Sequence, residues 1–434
     1  IIIKYWKITE GFDWVNKIKT IKEDYDLPNN ALVKIIQDKS TFSLYAHCNS
    51  CNSFEFKTLS SRSKAYTFFC EIKRSNPIYK CDHCKEKLRV KHEKEEQERA
   101  KKEEKEIKRI TKIAFGSCAS EKHGLPIFDL IVDYNPDLFI FLGDNIYGDT
   151  KDMNVMKAKY QRLASKSSFQ NLKENIPIIA TWDDHDFGWN DAGKEYPFKE
   201  ESKEIFLNFF NEPESSSRRK HPGIYHSYEY EVGENKLQII MLDGRTFRDQ
   251  LQPYNNEVSD EKRYGFYRKD YAPHTNTNTT LLGETQWKWL EKQFEKQADI
   301  RIIGSGTQFA IEWNGYEAWA NFPHEQKRML DLIKSTKANG VLFISGDVHY
   351  SEISKLETDF YPIYDFTSSG LSSTWHFATP NKNRIEGPIM DNHFGLITIN
   401  WNKDDTNLKM ETWDINDNQR FEYTVKLKDL TFNK

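Results

Sequence analysis

Three short apolar runs in this 434-residue chain each end in side chains that bind cations. Leu138-Phe-Ile-Phe-Leu leads into Gly143-Asp144-Asn145. Ile176-Pro-Ile-Ile-Ala-Thr-Trp leads into Asp183-Asp184-His185, and Val341-Leu-Phe-Ile-Ser-Gly leads into Asp347-Val-His349. Carboxylates and imidazoles are costly to bury unless paired or bound to a cation. Asp347 and His349 stand two apart, so on a strand they project to the same side and can grip one hard or borderline cation. Asp144 at a buried strand end can bridge two cations, and Tyr147, three residues on, can reach the same centre. Asp183 to Asp186 crowd three carboxylates and one imidazole into four positions, and such like charges repel unless a cation or base relieves them. Taken singly, each element also fits a plain turn or a capping Asp. Side by side, the three strand ends would gather ligands around one point, as a two-metal hydrolytic centre requires.

The runs themselves say what positions these residues. An all-apolar run of about five residues reads as a strand buried on both faces, and the sites of such sheets lie beyond the carboxyl ends of the strands. From Thr111 onward strands and helices alternate. Lys112 to Cys118 reads as a strand, and Cys118 is either a thiolate ligand or a small core residue. Helices are expected over 126–132, 157–163, 202–210, 283–297 and 324–335, with buried strands over 237–243 and 301–306. Arg245 and Arg248, just past Asp243, could clamp a phosphate or pair at the surface. Residues 250–280 are polar and rich in Asn, Thr and Tyr, a functional loop or lid. From Tyr361 strands dominate. This order predicts an α/β domain over 111–434, with two sheets packed as layers and helices outside.

The N-terminal quarter has a different texture. Residues 1–45 read as a small helical segment, Asp26 to Ile36 being its second helix. Over 46–92, Cys48-x2-Cys51 and Cys81-x2-Cys84 have the ligand count and spacing of a structural zinc ribbon. Residues 93–110 hold alternating acids and bases, a solvated helical linker. The formal net charge of -4 neither favours nor excludes a polyanionic partner. The module's Lys and Arg, interleaved with Phe and Tyr, could touch nucleic acid or a protein. No apolar stretch approaches the ~18 residues of a membrane span. The CxxC pairs and the absence of a visible leader favour an intracellular setting, or an exported one if a leader was removed.

Eight pieces in order resemble the alkaline phosphatase D (PhoD-like) family of metallophosphoesterases. They are Phe115-Gly-Ser-Cys118, Gly143-Asp-Asn-Ile-Tyr147, Thr181-Trp-Asp-Asp-His-Asp186, Leu242-Asp-Gly-Arg245, Gly283-Glu-Thr-Gln-Trp-Lys-Trp-Leu290, Ser345-Gly-Asp-Val-His-Tyr-Ser-Glu352, Thr367-Ser-Ser-Gly370 and His393-Phe-Gly-Leu396. The resemblance implies a calcineurin-like αββα sandwich. It also implies a ferric ion held by Cys118, Asp144, Tyr147, Asp347 and His349. A second site, for Ca2+ or another divalent cation, would use Asp144, Asp184 and Asn190. His185, with Asp184 and Arg245, would serve catalysis, His185 touching the phosphate or protonating the leaving group. The family often has Glu where Gly148-Asp149 follows Tyr147, and again at Asp186; both places keep an acid nearby. The implied activity is hydrolysis of a small phosphodiester or phosphomonoester by a metal-activated hydroxide. The alternatives are a nuclease targeted by the zinc ribbon and a degenerate phosphatase serving as a structural subunit.

Overall fold

The computed structural model describes residues 110–254, 269–402 and 405–432, three strands between 35 and 59, and a few helical residues between 86 and 94. The chain divides into two units, Ile1–Lys102 and Glu103–Lys434.

In the first unit β1 (Ile35–Asp38), β2 (Thr41–His47) and β3 (Phe54–Leu59) form an antiparallel sheet in sequence order. This corrects the helical reading of 1–45 for its described part: Ile35 and Ile36 pair with Leu44 and Ser43. Two adjacent β-branched residues lose χ1 freedom in a helix and fit a strand better. Cys48, Cys51, Cys81 and Cys84 lie outside the described residues, as does the linker apart from Lys94 and Ile110.

The second unit opens with β4 (Lys112–Gly116), α1 (Ile127–Asp133), β5 (Leu138–Leu142), α2 (Met153–Ala164), α3 (Ser167–Asn175) and β6 (Ile178–Thr181). A single turn, α4 (Asp184–Phe187), and α5 (Lys199–Phe209) follow. Next come β7 (His226–Val232), β8 (Asn235–Met241), the short pair β9 (Gln252–Pro253) and β10 (Tyr271–Ala272), α6 (Gly283–Phe294), β11 (Ile300–Ser305) and α7 (Pro323–Thr336). The rest is strand: β12 (Val341–Ser345), β13 (Ser351–Leu356), β14 (Ile363–Ser368), β15 (Arg384–Ile389), β16 (His393–Asn400), β17 (Asn407–Asp414) and β18 (Gln419–Lys426).

They make two mixed sheets. One has the order β18-β17-β16-β4-β5-β6 and the other β15-β13-β14-β12-β11-β8-β7. Each has a parallel part: β4, β5 and β6, which run to one edge of the first, and β8, β11, β12 and β14 in the middle of the second. Strand periodicity explains how the first sheet is covered on both faces. Phe115, Ile140 and Leu142 join Met241, Ile302 and Phe366 in the core between the sheets, where Leu142 packs against Gly304. Phe139, Phe141 and Ala180 point the other way, into a core with Phe128, Leu163, Phe169 and Phe206 from the helices. Phe115 meets Phe366 edge to face, 4.8 Å between ring centres, across the two sheets. On the far side of the second sheet, Trp287, Leu290, Met329 and Ile333 of α6 and α7 join the core. The result is the helix–sheet–sheet–helix sandwich the sequence pattern predicts.

Candidate metal centre

Every parallel strand delivers its following loop to the same edge. The register pairs Leu142 with Thr181 in one sheet, and Ser345 with Ser305 and Thr367 in the other. The strands therefore end together. Cys118, Asp144 and Asp347 each lie two residues past the end of β4, β5 and β12. All three, and His349, have positive φ, at 61°, 50°, 73° and 61°. Such a conformation is uncommon outside glycine and costs about 1–3 kcal/mol in its sparser regions, so it persists where the surroundings enforce it. This revises the local reading of Asp347 and His349. They sit in a left-handed turn beyond the strand, not on it, and two-residue alternation does not set their directions. Gly143 makes the crowding possible: at φ 101° a Cβ there would come within 2.3 Å of the Asp183 Cβ.

The turns create three overlapping triads, Cys118–Asp144–His349, Asp144–Asp184–His185 and Asp183–Asp184–Asp347, each with ligand atoms within 4.8 Å of one another. Asp144 belongs to the first two and Asp184 to the last two, so the triads form one continuous patch. His349 groups with Cys118 and Asp144, while the carboxylate of Asp347 groups with Asp183 and Asp184. Cys118 Sγ lies 3.4 Å from Asp144 Oδ2 and 3.2 Å from Ser369 Oγ. The Tyr147 ring lies 4.4 Å from that of His185, tilted by 38°, and stacks 6.5 Å from that of His349. Asn190 is exposed. It is the next residue, Asp191, whose N–H donates to Asp184 Oδ2 at 2.6 Å.

Charge is unbalanced here. Burial, and then the negative charge of Cys118 and the neighbouring carboxylates, hold Asp144 well above the usual carboxylate range. Burial and the charges of Asp183 and Asp184 do the same to Asp347. Asp144 Oδ1, Asp183 Oδ2, Asp184 Oδ1 and the Tyr147 hydroxyl are buried and make no hydrogen bond. Buried acceptors without donors are rare and call for a partner. Thiolate, phenolate, imidazole and carboxylate converging on one patch, with those oxygens orphaned, fit a cation pair.

Fixed donors orient the ligands. His349 Nδ1 lies 2.9 Å from the Ser373 carbonyl, which can only accept, so Nδ1 carries the proton and Nε2 is left to bind. His185 Nδ1 donates to Asp149 Oδ1 at 2.6 Å. Burial alone would depress the His185 pKa, but the Asp149 hydrogen bond and the Asp184 charge outweigh it and push it up to about 9. Arg245 is fully buried and committed to carboxylates rather than to open space. Its Nε donates to Asp183 Oδ1 at 2.6 Å, and Nη1 to both Glu317 oxygens at 2.8 Å. Arg248 is equally buried, 3.1 Å from Glu317. Asp186 turns inward to accept from Asp183 N at 2.7 Å and Asn145 Nδ2 at 2.5 Å, which makes it a brace for the loop. Asp183, a candidate in the acidic cluster to which the resemblance gives no role, joins the site, and so does Glu317, which was not expected. Asp183 lies within the acidic motif; Glu317 follows no motif, and no sequence signal marks it.

A model of the PhoD-like phosphatases matches residues 113–392. The chain belongs to the PhoD-like phosphatase family. Alkaline phosphatase D of Bacillus subtilis is 28% identical over 287 residues, covering 57% of this chain and 47% of the relative. The chain thus spans about half the length of that curated PhoD. A solved structure of PhoD superposes with a TM-score of 0.60 at 18% identity, covering 75% of this chain and 71% of the other, a likeness of fold. Among the described residues no helix is long and apolar enough to cross a membrane.

Proposed function

We propose that this chain is a metal-dependent hydrolase of small phosphodiesters or phosphomonoesters. The observation that carries the proposal is the continuous ligand patch with four buried, unbonded oxygens at the strand ends. Cys118, Asp144, Tyr147 and His349 are the residues to hold a ferric ion, whereas the Asp347 carboxylate, expected in the same set, groups with Asp183 and Asp184 on the side of the second cation. Asp144 and Asp184, with Asn190 at the rim, are those to hold Ca2+ or another divalent cation. When bound, such cations neutralise phosphate charge and lower the pKa of water so that a hydroxide nucleophile exists near neutral pH. The chain's own groups do the rest. His185, kept protonated by Asp149, gives its Nε2 proton to the departing alkoxide. Arg245 and Glu317 fix Asp183 and Asp184 in place. Zinc at Cys48, Cys51, Cys81 and Cys84 rests on ligand spacing alone, and any nucleic-acid or protein contact of that module on its basic and aromatic composition.

Elemental analysis and turnover of a chromogenic phosphodiester test the reading together. Iron, calcium and one zinc per chain are expected, with activity lost in both Asp144→Asn and Asp347→Asn. Full turnover in both variants would refute the site, and zinc alone would refute the iron–calcium assignment.

A further inference from the structure

Two motifs of the chain remain without a job in the site, Thr367-Ser-Ser-Gly370 and His393-Phe-Gly-Leu396. They meet just beyond the end of β14. Ser369, fully buried, is the first residue past that strand, and His393 opens β16. The Ser369 hydroxyl oxygen accepts from the His349 N–H at 2.9 Å and lies 3.2 Å from Cys118 Sγ. Cys118 follows a strand of the six-stranded sheet and His349 a strand of the seven-stranded one. One small side chain therefore touches a candidate ligand from each.

The loop around Ser369 is stitched to both ligand turns. Ser117 N donates to the Ser368 carbonyl, Leu371 N to the Ser117 carbonyl and Ser372 N to the Cys118 carbonyl, each at 3.1 Å. The Ser373 carbonyl accepts from His349 Nδ1 at 2.9 Å. His393 fixes Ser369 itself. Its Nδ1 lies 2.7 Å from the Asp391 carbonyl, which can only accept, so Nδ1 carries the proton and Nε2 accepts from Ser369 N at 3.1 Å. Burial pushes the His393 pKa down to about 4, so the ring stays neutral and keeps that acceptor. In return His393 N donates to the Gly370 carbonyl at 3.0 Å. The approach is close enough to demand glycine, since a Cβ at Gly370 would come within 2.3 Å of His393 Cε1.

The direction of the Cys118 contact follows from its chemistry. A thiol bound to a metal is deprotonated and can only accept. The Ser369 oxygen already accepts from His349, and its one hydrogen has the sulfur within reach. Ser117 Oγ also approaches that sulfur, but at the longer distance of 3.7 Å. Hydrogen bonds to a ligating sulfur draw off electron density and tune the metal.

We propose that Ser369 is a positioning residue of the metal centre, donating to the Cys118 thiolate, moderating its electron donation to the cation and tying it to the His349 turn, with His393 holding Ser369 in place. This rests on the phosphoesterase reading of the same site.

The test is cobalt(II) titration of the chelator-treated full chain, read by absorption. The sulfur-to-cobalt charge-transfer intensity that is missing from Cys118→Ser belongs to Cys118, so the cysteines of the N-terminal module subtract out. In Ser369→Ala that band should move to longer wavelength, because a thiolate without its hydrogen bond gives up an electron more readily. Cobalt should also bind more weakly, on the order of tenfold. Ser369→Thr keeps the hydroxyl and should restore both. If Ser369→Ala does not fold, His393→Phe keeps the hydroxyl but removes the acceptor that orients it, and the band should move the same way by less. An unmoved band in the variant that folds, even with weaker binding, would overturn the role of Ser369 and leave the phosphoesterase reading standing. A Cys118→Ser spectrum identical to that of the unsubstituted chain would overturn both the role of Ser369 and the ligand set behind the proposed function.

Discussion

Replacing Arg245 with methionine isolates what holds the carboxylate patch together. The side chain is fully buried and gives three short hydrogen bonds, one to Asp183 and two to Glu317, with Asp184 Oδ1 a further 3.8 Å away. Methionine keeps most of the volume, so the loss is one of charge. Removing one partner of a buried ion pair costs about 3–5 kcal/mol, because the other charge is left uncompensated. Arg248 still reaches Glu317 at 3.1 Å, so the lower end, about 3 kcal/mol, applies to the chelator-treated protein. At ~2–4 °C per kcal/mol for a domain of this size, the melting midpoint should drop by about 6–12 °C. Cations restore positive charge to the same carboxylates, so the difference should shrink on metal loading. The acid limb should move as well. Burial opposes ionisation of Asp184, but Arg245, His185 and the Asp191 N–H overcome it and push the pKa down to about 2. A lowered carboxyl pKa adds stability that is present above the unfolded value and lost as pH falls through about 2. Without Arg245 that loss should begin at higher pH. Lysine should not rescue, since it cannot fork to two carboxylates. Thermal and urea melts with and without chelator are the assay. A metal-free loss below ~1 kcal/mol, a surface ion pair's worth, would refute the reasoning.

Other perturbations reach different parts of the site. In metal-free protein an NMR titration should place His185 near pH 9, and Asp149→Asn should lower it by about one unit. The sign is that of a raised histidine: its stabilisation is complete below the unfolded value of 6.5 and disappears as pH rises through about 9, which the pH dependence of urea midpoints checks. Gly143→Ala should destabilise the fold and abolish turnover together, because the new Cβ lands on Asp183; unchanged melting and activity would contradict the close approach. Glu325→Leu should cost about 3 kcal/mol in urea melts, since the buried Glu325 accepts from Trp287 Nε1, Leu281 N and Leu282 N. If iron sits against Tyr147, the purified protein should be coloured, and Tyr147→Phe should shift and weaken the visible absorption without removing the metal.

What the sequence discloses here follows the physics of each element. The buried parallel strands were legible to within two residues or so, because an apolar run between polar turns admits few readings. Helix α3 and strands β7, β13 and β15 escaped. The exposed residues of Ser167–Asn175 hide its period, and Arg384–Ile389 is an edge strand with Gly387 and Pro388 inside it. At the site, Cys118, Asp144, Tyr147, Asp184, His185, Asp347 and His349 were legible as motif residues, and the structure brings them into one patch. The jobs of Arg245 and Glu317 were not. Their pairing joins a loop after β8 to a loop after β11, and only the fold makes those loops neighbours.

The left-handed ligand turns have a consequence for how the two sheets cohere. Cys118, Asp144 and Asp184 come from the six-stranded sheet, and Asp347 and His349 from the seven-stranded one, with Cys118 and Asp347 separated by 229 positions along the chain. A cation held by both sets is a fastener across the open end of the sandwich. Whatever binds the closed arrangement alone stabilises it by mass action, so metal affinity and the cohesion of the sheets are one linked quantity. Withdrawing the cation should therefore loosen the turns near 118, 144 and 348 in concert, and hydrogen exchange there should rise as a single unit.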